Sequence, residues 1–424
     1  MQENIFKTFG CRLNTFETEV MKNFVEEKNL RNVVILNTCA VTTEAERKAK
    51  REVQKLRSQN PDSFIIVTGC AAQLKPDFFQ NMDAVNLVLG NKEKLSEARW
   101  KKISKIKTDV ELASGDEFIS DIMSYSKLPS KTIRPSKTKT RAFIGIQNGC
   151  DHRCTCCIIP YARGHSRSLT PNQIKEQIEY LVSVGVKEVV LTGVDITSWG
   201  ADLTTQQKLG DLIELILKGI PKLSRLRISS IDSVEVDPKL NKLFCEEERL
   251  MPHLHLSLQS GDNMILKRMK RRHSRENVIE FCTKLKNTRP EMNFSADIIA
   301  GFPTESQDMF ENTVSLIEEC EINWLHVFPF SARPGTPAAR MPQISRSIIE
   351  ERATELRNIS KNRLSEHLDR KVGSTQSVLV EANSKGFTQD FSKVTFPKGP
   401  DIGEIIEMRI KSHENSELVG LPIA

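Results

Sequence analysis

Cysteines carry most of the chemistry this chain has to offer. Ten are present, and two groups of three stand out by position. Cys150, Cys154 and Cys157 lie in Cys150-Asp151-His152-Arg153-Cys154-Thr155-Cys156-Cys157, a CxxxCxxC set directly after a strand-like run. Three thiolates hold three irons of a cubane and leave the fourth iron without a protein ligand, so such a centre binds a further molecule as well as an electron. A zinc knuckle is the competing reading. It requires a fourth ligand such as His152 or a distant histidine, whereas structural zinc ordinarily pairs two short motifs. The second group is dispersed: Cys11, Cys39 and Cys70, each just beyond a predicted strand. In an open parallel sheet such ends share one edge, so thiols about 30 residues apart converge in space, and Gly10, Ala40, Gly69 and Ala71 leave room for a bulky group. Buried cysteines at strand ends are common, but the same placement three times argues for a second three-ligand cluster. Cys156 reads as packing beside the first set, and Cys245, Cys282 and Cys320 fall in helical patterns and read as structural.

The elements that must position these thiols follow from periodicity. A chain of 424 residues exceeds one hydrophobic core and implies about three domains. Short apolar runs such as Val33-Val34-Ile35-Leu36 and Phe64-Ile65-Ile66-Val67 flank a charged helical stretch at 44–58, the βαβ pattern of an open parallel α/β sheet over 1–115. A Ser-, Pro- and Lys-rich segment at 116–140 reads as an exposed linker near a polyanion, with Lys127, Lys131, Arg134, Lys137, Lys139 and, just beyond it, Arg141. From 141 to 368, strand-like runs at 143–147, 188–191, 226–229, 254–258, 293–299 and 324–328 alternate with helical patterns, which predicts a (βα)6 partial barrel with ligands at its carboxyl ends. Ile348, Ile349, Ala353, Leu356 and Ile359 mark an amphipathic helix leading out of it. Residues 369–424 carry β-prone runs at 376–380, 393–396 and 404–410, which predict a small antiparallel β-barrel.

Hydrophobic residues at 38% and charged residues at 27% describe a soluble globular chain. No apolar run approaches the ~20 residues a bilayer requires, and the amino terminus lacks the layout of a secretory signal. A cytoplasmic address is therefore expected, with no membrane partner and with thiols kept reduced. The net charge of +6 permits an anionic partner without demanding one.

The CxxxCxxC set after the first strand of a βα barrel resembles the signature of the radical S-adenosylmethionine superfamily. There the open iron chelates the cofactor, and reductive cleavage yields a deoxyadenosyl radical. Cys156 departs from that pattern, which usually has an aromatic residue at its position. The whole arrangement resembles the radical methylthiotransferases. Thr8-Phe9-Gly10-Cys11-Arg12-Leu13-Asn14, together with segments 158–168 and 191–198, is similar to the branch acting on N6-threonylcarbamoyladenosine at tRNA position 37. The resemblance implies two 4Fe-4S clusters, one on Cys150, Cys154 and Cys157 with S-adenosylmethionine, the other on Cys11, Cys39 and Cys70 carrying the sulfur. One cofactor molecule would supply the methyl group and a second the radical that attacks adenine C2, a carbon no side-chain base deprotonates at neutral pH. It further implies cofactor contacts at Asp195, Arg227, Ser229, Gln259, Ser260 and Asp297, whose competing reading is barrel-layer packing or loop hydrogen bonding.

Three features together point to RNA. The tail from Lys371 resembles the TRAM domain, the linker is basic, and Lys267, Arg268, Lys270, Arg271 and Arg272 form a cationic stretch. Arg163, Arg167 and Arg333 are read as phosphate or substrate contacts and Phe387 as a stacking surface for a base. The expected partners are thus tRNA and a reductase such as a flavodoxin-like electron donor; the sulfur donor is not legible. An electron-transfer protein would need complete four-ligand shells. A non-catalytic RNA binder with structural zinc, and methylthiolation of isopentenyladenosine or of a ribosomal protein, are the remaining alternatives.

Overall fold

The computed structural model describes residues 3–106, 118–125, 128, 140–397 and 399–423. The amino-terminal part runs β1 (Ile5–Thr8), α1 (Arg12–Glu27), β2 (Val33–Thr38), α2 (Thr43–Gln59), β3 (Phe64–Gly69), α3 (Cys70–Leu74), α4 (Pro76–Gln80), β4 (Leu87–Leu89) and α5 (Glu97–Ile106). Its four strands pair in parallel in the order β1-β2-β3-β4. Because side chains alternate along a strand, Val33, Ile35 and Ile66 join α1 and α5 on one face, while Val34, Leu36, Ile65 and Val67 join α2 and α3 on the other. Helix α2 starts where Thr42 accepts from Ala45 N, with Glu44 and Glu46 in its first turn and Arg57 in its last.

The central part continues as β5 (Arg141–Gly145), β6 (Gln147–Asn148), α6 (Ile159–Arg163), β7 (Arg167–Ser168), α7 (Pro171–Ser183), β8 (Glu188–Thr192), α8 (Leu209–Gly219), β9 (Arg225–Ile228), β10 (Ser230–Ile231), α9 (Pro238–Glu246), β11 (His253–Gln259), α10 (Asn263–Met269), α11 (Arg275–Thr288), β12 (Asn293–Ala300), α12 (Gln307–Glu319) and β13 (Ile322–Pro329). All six expected barrel strands are present. The third breaks at Ser229, so the wall is a β5-β8-β9 sheet continued by a β10-β11-β12-β13 sheet, parallel throughout. Ala142, Val189, Leu226, Leu254 and Phe294 pack outward against the helices. Their strand neighbours Arg141, Glu188, Arg227, His255 and Asp297 therefore face the interior, which makes the barrel lumen polar.

Helix α13 (Arg346–Asp369) leaves the barrel, with Ala353 and Leu356 in the barrel core and Leu364 and Leu368 in the core of the carboxyl-terminal domain. There β14 (Thr375–Ala382), β15 (Lys385–Thr388), β16 (Lys393–Thr395), β17 (Ile405–Glu414) and β18 (Glu417–Pro422) close into a barrel ordered β14-β15-β16-β18-β17. The β16–β18 pair is parallel, so the barrel is not purely antiparallel as expected. No helix among the described residues is long and apolar enough to cross a membrane.

The linker expectation needs correction over its described residues. Phe118 is buried against the amino-terminal sheet, with Gly90 N donating to Phe118 O, and Ile122 is buried as well. Arg141 opens β5 with its side chain ion-paired to Glu188 and Glu381. Lys127, Lys131, Arg134, Lys137 and Lys139 lie outside the described residues.

Candidate active site

The CxxxCxxC loop is anchored from both sides by backbone bonds, Thr155 N to Met269 O and Ala338 N to Thr155 O. This turns Cys156 toward Ile265, Met269, Phe302 and Ala338. Burial, with Cys156 and Cys154 adding, pushes the Cys157 thiol up to about 12. Burial raises Cys150 as well, reinforced by Asp195, Cys157 and Cys154. The three cysteines share one short loop, in which Cys157 N donates to Cys154 O at 3.1 Å. Around them stand the Asp195 carboxylate, 3.8 Å from Cys150 Sγ and 2.9 Å from His152 Nε2, and the Arg271 guanidinium, 4.0 Å from Cys154 Sγ.

At the sheet edge, Cys11 caps α1 and Cys70 opens α3. Each comes after a glycine of nearly the same backbone conformation, φ +99° at Gly10 and +98° at Gly69, a region side chains other than glycine's rarely adopt. Close approach also demands glycine. A β-carbon at Gly10 would sit 3.0 Å from Cys39 Cβ, and one at Gly69 would collide with the Thr38 backbone. Burial, then Cys70, raises the Cys39 thiol to about 11, with Cys11 contributing further on. The turn before Cys11 thus lies against Cys39, and Cys39 and Cys70 directly follow the paired residues Thr38 and Gly69.

Helix α6 begins two residues after Cys157 and ends in Arg163, whose guanidinium lies in the field of Cys70 and Cys11. Arg163 donates to Glu17 Oε1 at 2.8 Å and to Asn148 Oδ1 at 3.0 Å, and also to Asn14 Oδ1. Lys94 completes the hub, 2.6 Å from Glu17 Oε2. Burial would raise the Glu17 carboxyl, but Arg163 and Lys94 outweigh it and hold it at about 2. A fully buried carboxylate is tolerable only with such partners. The network ties sheet to barrel, one short helix from either group of thiols.

The lumen floor is closed from the carboxyl-terminal barrel. Thr388, Asp390 and Ser392 form a turn held by His367 at 2.8 Å and Lys371 at 2.9 Å from Asp390 Oδ2. The turn presents Phe391, at φ +72°, to the His253 ring 5.3 Å away. Arg141, Arg227 and Arg12 lie over the Phe391 ring at 4.8, 4.9 and 5.3 Å. Higher in the lumen, Asp297 Oδ1 is bonded to His255 Nε2 at 2.9 Å and lies 3.3 Å from His326 Nδ1.

Comparison with known proteins identifies the family. Residues 144–317 match the Radical SAM superfamily and residues 3–90 match the uncharacterized protein family UPF0004. The threonylcarbamoyladenosine tRNA methylthiotransferase MtaB of Rickettsia prowazekii (strain Madrid E) is 48% identical over 414 residues, which cover 98% of this chain and 94% of the relative. This chain belongs to the MtaB methylthiotransferase family. The protein of that name from Bacillus subtilis (strain 168) is 32% identical, covering 96% of this chain and 93% of its own. Among solved structures, the radical S-adenosylmethionine methyltransferase TsrM of Kitasatospora setae, with cobalamin and a [4Fe-4S] cluster bound, superposes with a TM-score of 0.57 at 11% identity over 89% of this chain and 81% of that one, a likeness of fold alone.

The methylthiotransferase is thus a radical enzyme, and its family brings S-adenosylmethionine and a 4Fe-4S cluster with it. The donors fit such a group: all six cysteines are free thiols, Arg271 supplies positive charge at one set and Arg163 at the other, and the Ser229 hydroxyl is buried with no hydrogen bond among the described residues. Gln259 ends β11 at φ +71°.

The structure gives several of the expected site residues partners within the protein. Arg227 is one. It is buried at the floor, bonded to Glu188 Oε1 at 2.7 Å and Thr388 O at 2.9 Å. The Ser260 hydroxyl serves its own loop, 3.3 Å from Thr313 Oγ1 and accepting from Asp262 N. Asp297 sits in mid-strand, committed to the two histidines. The arginines read as RNA contacts are interior: Arg163 in the hub, Arg167 bonded to Tyr125 O and Arg163 O, and Arg333 paired with Glu46. Phe387 is half-buried, stacked on Phe391 at 5.0 Å with the Arg141 guanidinium over its ring at 4.7 Å. Of the cationic stretch, Arg271 and Arg272 pair with Asp232 and Glu235 beside the barrel thiols. Sequence reading took Arg12 only as part of the branch motif and missed Glu17, Lys94, His255, His326 and Phe391. A charged residue inside an apolar helical face, as at Glu17, was the available signal.

Proposed function

We propose that this methylthiotransferase places a methylthio group on C2 of N6-threonylcarbamoyladenosine at tRNA position 37, using S-adenosylmethionine and two 4Fe-4S clusters, on Cys150, Cys154 and Cys157 and on Cys11, Cys39 and Cys70. The observation that carries the reading is helix α6, which starts two residues after the barrel thiol Cys157 and whose Ala162 O accepts at 2.8 Å from Asn91 Nδ2, itself 4.0 Å from the sheet thiol Cys70. Support for the substrate comes from relatives of that name along nearly the whole chain. Bound there, a reduced cluster with S-adenosylmethionine supplies one-electron chemistry strong enough to break an aromatic C–H bond.

The chain's own residues bind and shield. Asp195, oriented by His152 and by Ser198 Oγ at 2.8 Å, offers a carboxylate to the cofactor's amine, and Ser229 and Gln259 offer polar atoms nearby. Arg271 balances negative charge at Cys154. The tRNA backbone meets exposed Lys385, Arg409 and Lys411 on the carboxyl-terminal barrel, and electrons come from a flavodoxin-like reductase. The test is anaerobic reconstitution and then turnover on tRNA carrying threonylcarbamoyladenosine, with nucleosides read by mass spectrometry. A mass gain of one methylthio group in place of hydrogen on that nucleoside is expected. Turnover confined to isopentenyladenosine would remove the substrate assignment, and zinc in place of iron would remove the chemistry.

A further inference from the structure

The lumen floor gathers four guanidiniums, from Arg12, Arg141, Arg225 and Arg227, around Glu188 and Glu381. Three of them are paired, although Arg141 Nη2 and Arg227 Nη1 make no hydrogen bond among the described residues. Arg141 pairs with both carboxylates, Arg225 donates to Phe387 O and Ser377 O, and Arg227 donates to Glu188 and Thr388 O. Arg12 is different. Among the described residues its guanidinium makes no hydrogen bond and no ion pair, and its close contact is the Phe391 ring, 5.3 Å away. The carboxylates that act on it are Glu188 and Asp297, the first already held by Arg141 and Arg227, the second by His255 and His326. A half-buried cation beside two others, with no anion of its own, is unfavourable unless a ligand brings one. The rigid turn below it keeps Phe391 in place and prevents the arginine from sinking further.

Arg12 directly succeeds Cys11, so one turn of backbone carries both a sheet thiol and this guanidinium. The proposed substrate has the same juxtaposition. Adenine C2 and C6 both bond to N1, so the reacting carbon and the N6 substituent share one edge of the base, and in threonylcarbamoyladenosine that substituent ends in a free carboxylate.

We propose that Arg12 is the specificity residue for the N6 substituent: its guanidinium takes the threonyl carboxylate, so that the lumen accepts an anionic arm and rejects a neutral or apolar one. This rests on the substrate reading above. A guanidinium–carboxylate pair in a partly dry site is bidentate and charge-assisted. A neutral arm leaves the arginine desolvated and unpaired, which is the source of discrimination.

The test compares two anticodon stem-loop RNAs, one carrying threonylcarbamoyladenosine and the other its methyl ester, on reconstituted full-length enzyme. Both the dissociation constant and kcat/KM are measured for each. Wild type is expected to favour the acid over the ester by about 30–100-fold in kcat/KM. Arg12→Gln is expected to bring the ratio to within about threefold, and Arg12→Lys to restore part of it, since lysine keeps the charge but not the fork. The ratio is internal to each variant, so loss of active enzyme from a disturbed Cys11 cancels. An Arg12→Gln enzyme that keeps the wild-type ratio, or a wild type indifferent to the ester, overturns the proposal while leaving the substrate reading intact. Wild type that converts neither RNA overturns the substrate reading and this inference with it.

Discussion

A cation stands near each group of thiols, and burial raises Cys39, Cys150 and Cys157 while Cys11 is exposed, and these influences separate the roles of individual residues. On the proposed two-cluster reading, loss of a sheet thiol is expected to remove one centre and spare the other. Cys11→Ala is expected to fall from about eight irons per chain to about four, to retain reductive cleavage of S-adenosylmethionine, and to lose methylthiolation. Cys157→Ala is expected to lose both activities. Iron analysis with product quantification checks this, and methylthiolation by Cys11→Ala would show that the sheet centre is dispensable. Glu17 makes a second prediction. Its carboxyl is held at about 2 against an ordinary 4.5, so it contributes stability above pH 4.5 that is lost as pH falls toward 2. Trp100 Nε1 donates to Lys94 O beside Glu17, which makes tryptophan fluorescence a local reporter. Glu17→Ala, which leaves Arg163 and Lys94 buried without their carboxylate, is expected to cost about 3–5 kcal/mol, measurable by urea unfolding at neutral pH.

At the scale of elements, two glycine turns and one short helix place the thiols. Gly69 precedes Cys70 at φ +98° with the Thr38 backbone against its α-carbon. Gly69→Ala therefore combines conformational strain with a collision against backbone, neither of which a rotamer change relieves. The expected cost is about 2–4 kcal/mol, with Cys70 displaced and the iron content of the sheet centre reduced while the barrel centre is retained. Normal iron at both centres and unchanged unfolding would mean that the turn relaxes freely. Strand β15 illustrates why some elements escape periodicity. Lys385-Gly386-Phe387-Thr388 is too short and too glycine-rich to read as a strand, yet it pairs with both β14 and β16.

Across the whole molecule, the carboxyl-terminal barrel also closes the floor of the lumen. Arg225 and Arg227 spend their donors on its backbone, and Phe391 floors the lumen. Removing residues 370–424 would strip those partners and open the floor. The truncated chain is expected to lower its thermal midpoint by at least about 4 °C and to lose turnover on a free anticodon stem-loop. An appended RNA module would instead leave the midpoint unchanged and weaken only binding of full tRNA.

The sequence by itself determined the local pieces: the CxxxCxxC loop, the recurrence of cysteines past strand ends, the six barrel strands and the exit helix. All of these are written in short-range spacing and alternation. Tertiary structure alone decided which charged residues are interior. Arg163, Arg167, Arg227 and Arg333 look like ordinary surface cations in one dimension, and only folding brings Glu17, Tyr125, Glu188 and Glu46 against them. The same holds for Phe391 and Arg12, from opposite ends of the chain, which meet because elements from both ends close the barrel's open lumen. Burial of a charge depends on partners at long sequence separation, and spacing along the chain carries no record of them.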